Sequence, residues 1–364
     1  MDDQSGYAKW APGLLLAGLA GGLIVLGGLV IRERVRKASG IPLNEEQKAE
    51  LRENLDHNPR SIFTYDPDLS YRLKPDFRGL RHDSSDELHL TNSRGLLGAE
   101  EVNPDPGVRK VIFLGDSVTY GSHLPFKKAF VSRMGEAADD SRQLLNAGCP
   151  GWSTHQELGF FRLYLSDLPI DEVVVVFTLN DLLRFEWVWR DERSFQMSPE
   201  LRGLGGLVQS RLTDLKLSRL RSRFRADDTL RPLAALNNTC LYAYLPEAWE
   251  RYREDIRPAL EALIAKRSVI LAAVPARPQL ESLNRGGDPA RVLFPQRRLE
   301  ELARETGIGY LDLLPAFRAA EGDYDTGHFL TGDKLHLSPK GHRRVAERMR
   351  TELLLREKPP EQNR

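Results

Sequence analysis

From Val108 onward, short unbroken apolar runs alternate with longer stretches in which apolar positions recur at three- and four-residue steps. The runs are Val111–Leu114, Leu144–Asn146, Val173–Phe177 and Val269–Ala273, with Gly309–Leu313 as a fifth. Strands buried on both faces read as continuous apolar segments, whereas half-exposed antiparallel strands alternate. The stretches 126–139, 153–167, 248–266 and 291–305 fall between the runs and have helical spacing. Strands interleaved with helices predict a three-layer α/β/α sandwich around a central parallel sheet, spanning residues 108–357. Residues 358–364 form a tail.

Residues 182–246 break this rhythm and predict a helical insertion between the third and fourth strands. Within it, Leu201–Arg225 carries Arg202, Arg211, Lys216, Arg219, Arg221, Arg223 and Arg225 against Asp214 alone. Leu204, Val208, Leu212 and Leu215 recur along it at helical steps. This is a basic amphipathic helix, either packed on the domain by that stripe or laid on an anionic membrane surface.

The N-terminal third has a different pattern. After a tail at 1–10, residues 11–31 carry no charge. A helix of that length crosses a hydrocarbon core of roughly 30 Å, so a single transmembrane helix is predicted. Asp2 and Asp3 ahead of it, and its length, argue against a cleaved signal peptide. Residues 32–57 read as a charged juxtamembrane helix, and 58–107 as a preamble of loops and small strands, rich in Pro, Asp, Gly and Ser. Arg32, Arg34, Arg36 and Lys37 directly follow the span, and by the positive-inside tendency they place the large domain in the cytoplasm.

Composition excludes some functions. Lys and Arg total 52 and Asp and Glu total 52, a balance that argues against a nucleic-acid partner. Cys149 and Cys240 are too few for a disulfide scaffold or a four-cysteine zinc site; they either form one bridge or stand as two buried thiols. No His-Glu-x-x-His or other metal-ligand spacing is present.

Four short blocks stand at strand ends, where ligand sites form in open parallel sheets. The first runs Phe113-Leu114-Gly115-Asp116-Ser117-Val118-Thr119-Tyr120-Gly121. It places a serine where a strand turns into a helix. It is neither the Gly-x-Ser-x-Gly elbow nor a phosphate loop, and alone it reads equally as an N-cap. The second is Asn146-Ala147-Gly148-Cys149-Pro150-Gly151-Trp152, the third Thr178-Leu179-Asn180-Asp181, and the fourth Asp333-Lys334-Leu335-His336. Together, in this order, they resemble the SGNH/GDSL hydrolase family. Gly115-Asp116-Ser117 matches its first motif, with Val118 in place of the eponymous leucine. Gly151 matches its second-block glycine, with Gly148 as the fallback. Asn180 matches its asparagine, and Asp333-x-x-His336 its last block. The family usually has Gly where this chain has Thr178, which predicts a differently shaped loop around Asn180. Two preamble stretches, Tyr71-Arg72-Leu73-Lys74-Pro75 and Thr91-Asn92-Ser93-Arg94-Gly95, also resemble a segment that precedes some bacterial members; no mechanistic role follows from them.

The resemblance implies a serine acyl-ester hydrolase that needs no cofactor or metal. Ser117 is the implied nucleophile, His336 its base and Asp333 the group that orients His336. The implied oxyanion hole comprises the N–H groups of Ser117 and Gly151 and the side-chain amide of Asn180. Acetylated carbohydrate and lipid esters both fit as substrates. An envelope-glycan O-acetyltransferase using the same residues, and an inactive membrane-tethered binding protein, are the alternative readings. Anchored members of the family often act outside the cytoplasmic membrane, opposite to the side favoured by the charges after residue 31. Asp116, Asp181, His123, His155 and His342 are expected to hold structure rather than perform chemistry.

Overall fold

The computed structural model describes residues 61–80, 88–136, 140–182, 186–190, 193–197, 203–320 and 322–354. The predicted transmembrane helix at 11–31, the juxtamembrane helix at 32–57 and the tail at 358–364 lie outside the described residues. Among the described residues, no helix is long and apolar enough to cross a membrane.

Two antiparallel pairs come first: β1 (Phe63–Asp66) with β2 (Ser70–Leu73), and β3 (Arg78–Leu80) with β4 (Leu88–Leu90). The apolar runs then become β5 (Arg109–Gly115), β6 (Arg142–Gly148) and β7 (Glu172–Phe177). A separate hairpin follows, of β8 (Glu186–Arg190) and β9 (Arg193–Met197). The remaining runs form β10 (Ser268–Ala273) and β11 (Gly309–Asp312). All five apolar strands lie parallel in one sheet, in the spatial order β11-β10-β7-β5-β6.

The continuous apolar character of these strands has a direct structural cause. Ile112, Leu114, Val173, Val175, Phe177, Val269 and Leu271 face one core, and Val111, Phe113, Val174, Val176, Ile270 and Ala272 face another. Successive strand residues point to opposite faces, so a sheet buried on both sides needs apolar residues at every position. Besides two short helical turns at Asn238–Tyr242 and Pro289–Val292, the helices of the described residues are α1 (Ser117–Tyr120), α2 (Phe130–Gly135), α3 (Thr154–Phe160), α4 (Gly203–Ala226), α5 (Pro246–Ile264), α6 (Arg277–Asn284), α7 (Phe294–Thr306) and α8 (Pro339–Met349). Trp249, Tyr252 and Ile256 of α5 and Leu299 and Leu302 of α7 fill the first core. Phe130 and Met134 of α2 and Val345 and Met349 of α8 fill the second. Each such Val, Leu or Phe contributes about 1.5–3 kcal/mol by leaving water, so the three layers hold each other together.

Several elements differ from the sequence reading. The helix predicted at 126–139 divides at Ala129, whose extended backbone separates a 3₁₀ turn at Phe126–Lys128 from α2. The helix predicted at 153–167 is α3 followed by a π turn, Phe161–Leu165. The insertion contains a hairpin as well as helices. On α4 the side chains of Leu204 and Val208 lie outside the described residues, and the rest of the stripe does not face the core. Leu212 and Leu215 are about half exposed, while Leu217 and Phe224 are the buried residues, with Leu220 packed against the same core. Two apolar stripes compete along this helix, and the one that meets the turn at Arg231–Ala235 wins.

The strand order positions the site. β5, the first strand of the sheet, has β6 on one side and β7 on the other. The connections therefore leave β5 and β7 in opposite directions, which opens a crevice beyond their C-terminal ends.

Candidate active site

Ser117 stands at that crevice. β5 ends at Gly115, and the Asp116 carboxylate caps α1 by accepting the Val118 N–H at 2.8 Å. The cap is thus Asp116, which leaves the Ser117 hydroxyl free to turn outward. It lies 2.9 Å from Nε2 of His336, a residue 219 positions later in the chain.

The other ring nitrogen of His336, Nδ1, is 2.8 Å from Asp333 Oδ2. Asp333 Oδ1 accepts the backbone N–H groups of Leu335 and His336, each at 2.8 Å. Burial alone would raise the Asp333 pKa. The hydrogen bonds from the His336 ring and the two backbone N–H groups outweigh it and hold the carboxyl far below its ordinary value. A permanently ionised Asp333 fixes the His336 proton on Nδ1, so Nε2 presents its lone pair to Ser117. The loop itself is tied by Leu330 N–H to His336 O at 3.0 Å and by the Ser338 cap on α8. His123 stands edge-on to the His336 ring, centroids 5.0 Å apart, and adopts a left-handed backbone with φ of 67°.

The two candidate glycines have separate jobs. A Cβ on Gly148, the last residue of β6, would come 2.3 Å from the Tyr120 backbone nitrogen, so this glycine permits the close approach of strand and α1. Gly151 has φ of 81° and makes the turn before Trp152. The preamble holds this turn from outside. Tyr71 of β2 donates its hydroxyl to Pro150 O at 2.6 Å, and the Trp152 indole donates back to Tyr71 O at 3.0 Å. Gln156 adds a bond to Leu69 O at 2.9 Å. No sequence motif announces these contacts, because each depends on residues about eighty positions apart.

Asn180 follows β7, and its Nδ2 donates to Asp116 Oδ2 at 3.0 Å. Around it lies a buried polar cluster. The Asp181 carboxyl accepts the Thr178 N–H at 2.6 Å, and the Thr178 hydroxyl sits 2.8 Å from Asn180 Oδ1. Glu157 of α3 is fully buried with both carboxyl oxygens lacking a hydrogen-bond partner. Burial, with Asp116 nearby, holds the Glu157 carboxyl well above its usual range. Asp181 is raised by burial and then by the charges of Asp116 and Glu157. Glu157 went unremarked in the sequence, where it reads as an ordinary helix glutamate.

The remaining candidates are structural or lie apart. His342 is buried in α8 and accepts the Phe130 N–H at 3.2 Å. Cys149 and Cys240 are both buried, and neither is in a disulfide. Burial pushes the Cys240 thiol up to about 12, so it stays a thiol. Among the described residues, no group of three or more His, Cys, Asp or Glu could hold a metal ion. A cleft of about 380 Å³ lies at the sheet edge against Tyr310, Asp312 and Arg348. It touches none of the residues around Ser117.

The model of the GDSL-like lipase/acylhydrolase family matches residues 113–344. Similar solved structures include a catalytic mutant of an acetylxylan esterase from Geobacillus stearothermophilus, with 16% identity and a TM-score of 0.42, covering 69% of this chain and 96% of that one. A carbohydrate acetylesterase from Sinorhizobium meliloti has 13% identity and a TM-score of 0.39, covering 68% and 98%. A putative lipolytic protein of the G-D-S-L family from Desulfitobacterium hafniense has 14% identity and a TM-score of 0.39, covering 67% and 99%. No curated protein sequence matches the chain. The family match covers most of the chain, from the end of β5 into α8, and includes all four blocks, so this protein belongs to the GDSL-like lipase/acylhydrolase family.

Proposed function

We propose that the protein is a serine-dependent acyl-ester hydrolase that works through an acyl-enzyme on Ser117. The observation that carries this reading is the continuous chain from Ser117 Oγ to His336 Nε2 at 2.9 Å and from His336 Nδ1 to Asp333 Oδ2 at 2.8 Å. A serine hydroxyl is a weak nucleophile until a base takes its proton. His336 is that base. As Ser117 Oγ attacks the ester carbonyl, its proton passes to Nε2, and the ionised Asp333 stabilises the imidazolium. The carbonyl oxygen, now negative, is held by the N–H groups of Ser117 and Gly151 and by Asn180 Nδ2 (the second N–H, the first being engaged by Asp116). His336 then protonates the leaving alcohol. In the second half, water attacks the acyl-Ser117 ester by the same route in reverse and releases the carboxylic acid. Acetylated carbohydrate and lipid esters are the substrate classes, and a sugar hydroxyl in place of water would make the same site an acetyltransferase.

The test is hydrolysis of p-nitrophenyl acetate. Wild type turns over and Ser117→Ala loses activity by a factor on the order of 10³ or more. Equal rates for the two proteins overturn the reading.

A further inference from the structure

The hydroxyl of Thr178 has more neighbours than it has protons. Three oxygens lie within reach of its Oγ1: Asn180 Oδ1 at 2.8 Å, Asp116 Oδ2 at 3.1 Å and Asp181 Oδ1 at 3.2 Å. The hydroxyl supplies one proton and two acceptor lone pairs. An amide oxygen only accepts, so the shortest contact takes the hydroxyl proton. Asp116 Oδ2 already receives the Asn180 amide N–H at 3.0 Å. Turning the Asn180 amide over would instead set its oxygen against the Asp116 carboxylate, two acceptors face to face. The third contact closes if Asp181 carries a proton and donates it to Thr178 Oγ1. Burial and the neighbouring Asp116 and Glu157 favour the protonated form of Asp181, whose other oxygen accepts the Thr178 N–H.

We infer that Thr178 is a positioning residue for the reaction, its hydroxyl linking Asp181 to the Asn180 carbonyl so that the Asn180 amide is fixed in one orientation and polarised toward the oxyanion. The chain runs Asp181 O–H to Thr178 Oγ1, Thr178 O–H to Asn180 Oδ1, and Asn180 N–H to the developing charge. Hydrogen bonds in series polarise one another in a buried site, and a hydrogen bond accepted at an amide oxygen makes the amide N–H a better donor. Thr178, Asp116 and Asp181 are each nearly inaccessible to water, so no solvent molecule competes for these contacts. The inference rests on the hydrolase reading, and it explains what this chain does with a threonine at a position where the resemblance predicts glycine.

The experiment compares wild type with Thr178→Val, Thr178→Gly and Thr178→Ser in p-nitrophenyl acetate hydrolysis. Valine keeps the shape without the hydroxyl, glycine removes the side chain and serine keeps the hydroxyl. With removal of a whole oxyanion donor costing about 10²–10³ in kcat, loss of its polarising partner lowers kcat about 10- to 50-fold in the valine and glycine variants. KM stays within twofold, since the effect is confined to the transition state. Serine restores kcat to within about threefold of wild type, a rescue that a purely space-filling role for the threonine would not give. Phosphonylation of Ser117 by a fluorophosphonate slows in the same order, and melting curves identify folded variants. A valine variant that misfolds leaves the glycine variant to decide. Folded valine or glycine protein with wild-type kcat overturns the inference while leaving the hydrolase reading intact. Wild type that neither turns over nor labels overturns both.

Discussion

A buried histidine outside the Ser117–His336–Asp333 chain shows how one residue ties this fold to pH. His342 lies between α8 and the start of α2, where burial, then the charges of Arg133 and His336, lower its pKa to about 3. In the unfolded chain the same imidazole titrates near 6.5. Between those values the unfolded state binds a proton that the native state refuses, so stability rises with pH across that window and falls on acidification. From pH 7 to pH 5 this one group removes about 2 kcal/mol. Urea denaturation at the two pH values should show that loss in wild type and a correspondingly smaller loss in His342→Asn, which keeps an acceptor for the Phe130 N–H. Equal losses in the two proteins would assign the acid sensitivity elsewhere. Asp333 has the same sign, but its window lies lower, below the ordinary carboxylate pKa. Its depressed pKa keeps it ionised throughout this range, so the Ser117–His336–Asp333 chain does not lose its carboxylate on the same acidification.

At the scale of elements, the β1–β2 pair acts as a brace. Its Tyr71 donates its hydroxyl to Pro150 O and accepts the Trp152 indole N–H at its own carbonyl, spanning the turn that carries Gly151. Tyr71→Phe deletes the bond to Pro150 O and leaves a carbonyl without its donor, at about 1–2 kcal/mol of stability. The turn loosens one residue before Gly151, so kcat is expected to fall several-fold with little change in KM. Urea denaturation and steady-state kinetics check both halves; unchanged kcat would reduce the brace to a stabilising role. The sequence announced the sheet far better than it announced this brace. Val173–Phe177 and its companions are legible because burial on both faces imposes apolar residues on every position. The β8–β9 hairpin was missed although Glu186-Trp187-Val188-Trp189-Arg190 and Arg193-Ser194-Phe195-Gln196-Met197 are separated by two residues in the sequence, the usual spacing of a hairpin. Which residues of α4 pack on the domain was not legible, because Leu212 and Leu215 have the same periodicity as Leu217, Leu220 and Phe224, and only the tertiary partner chooses between them.

For the whole molecule, topology converts four weak local motifs into one site. A serine beside an aspartate at a strand end is a common helix start, and an Asp-x-x-His is commoner still. The sheet order brings the ends of β5 and β7 together at its reversal point, and the α8 approach delivers His336 to the same crevice. That much was legible because each block lies at the end of its own strand or just ahead of a helix. Thr178 was legible as a departure beside Asn180 but not in its contact with Asp116, and Glu157 and Tyr71 were not legible as site residues, since those partners are set by packing between distant segments rather than by spacing. The central claim is that Ser117 is a nucleophile activated by His336. Fluorophosphonate labelling followed by peptide mapping tests it most directly. One stoichiometric adduct on Ser117 is expected in wild type, none in Ser117→Ala, and strongly slowed labelling in His336→Ala. Folded wild-type protein that does not label, or labels at another residue with Ser117→Ala equally reactive, would contradict it.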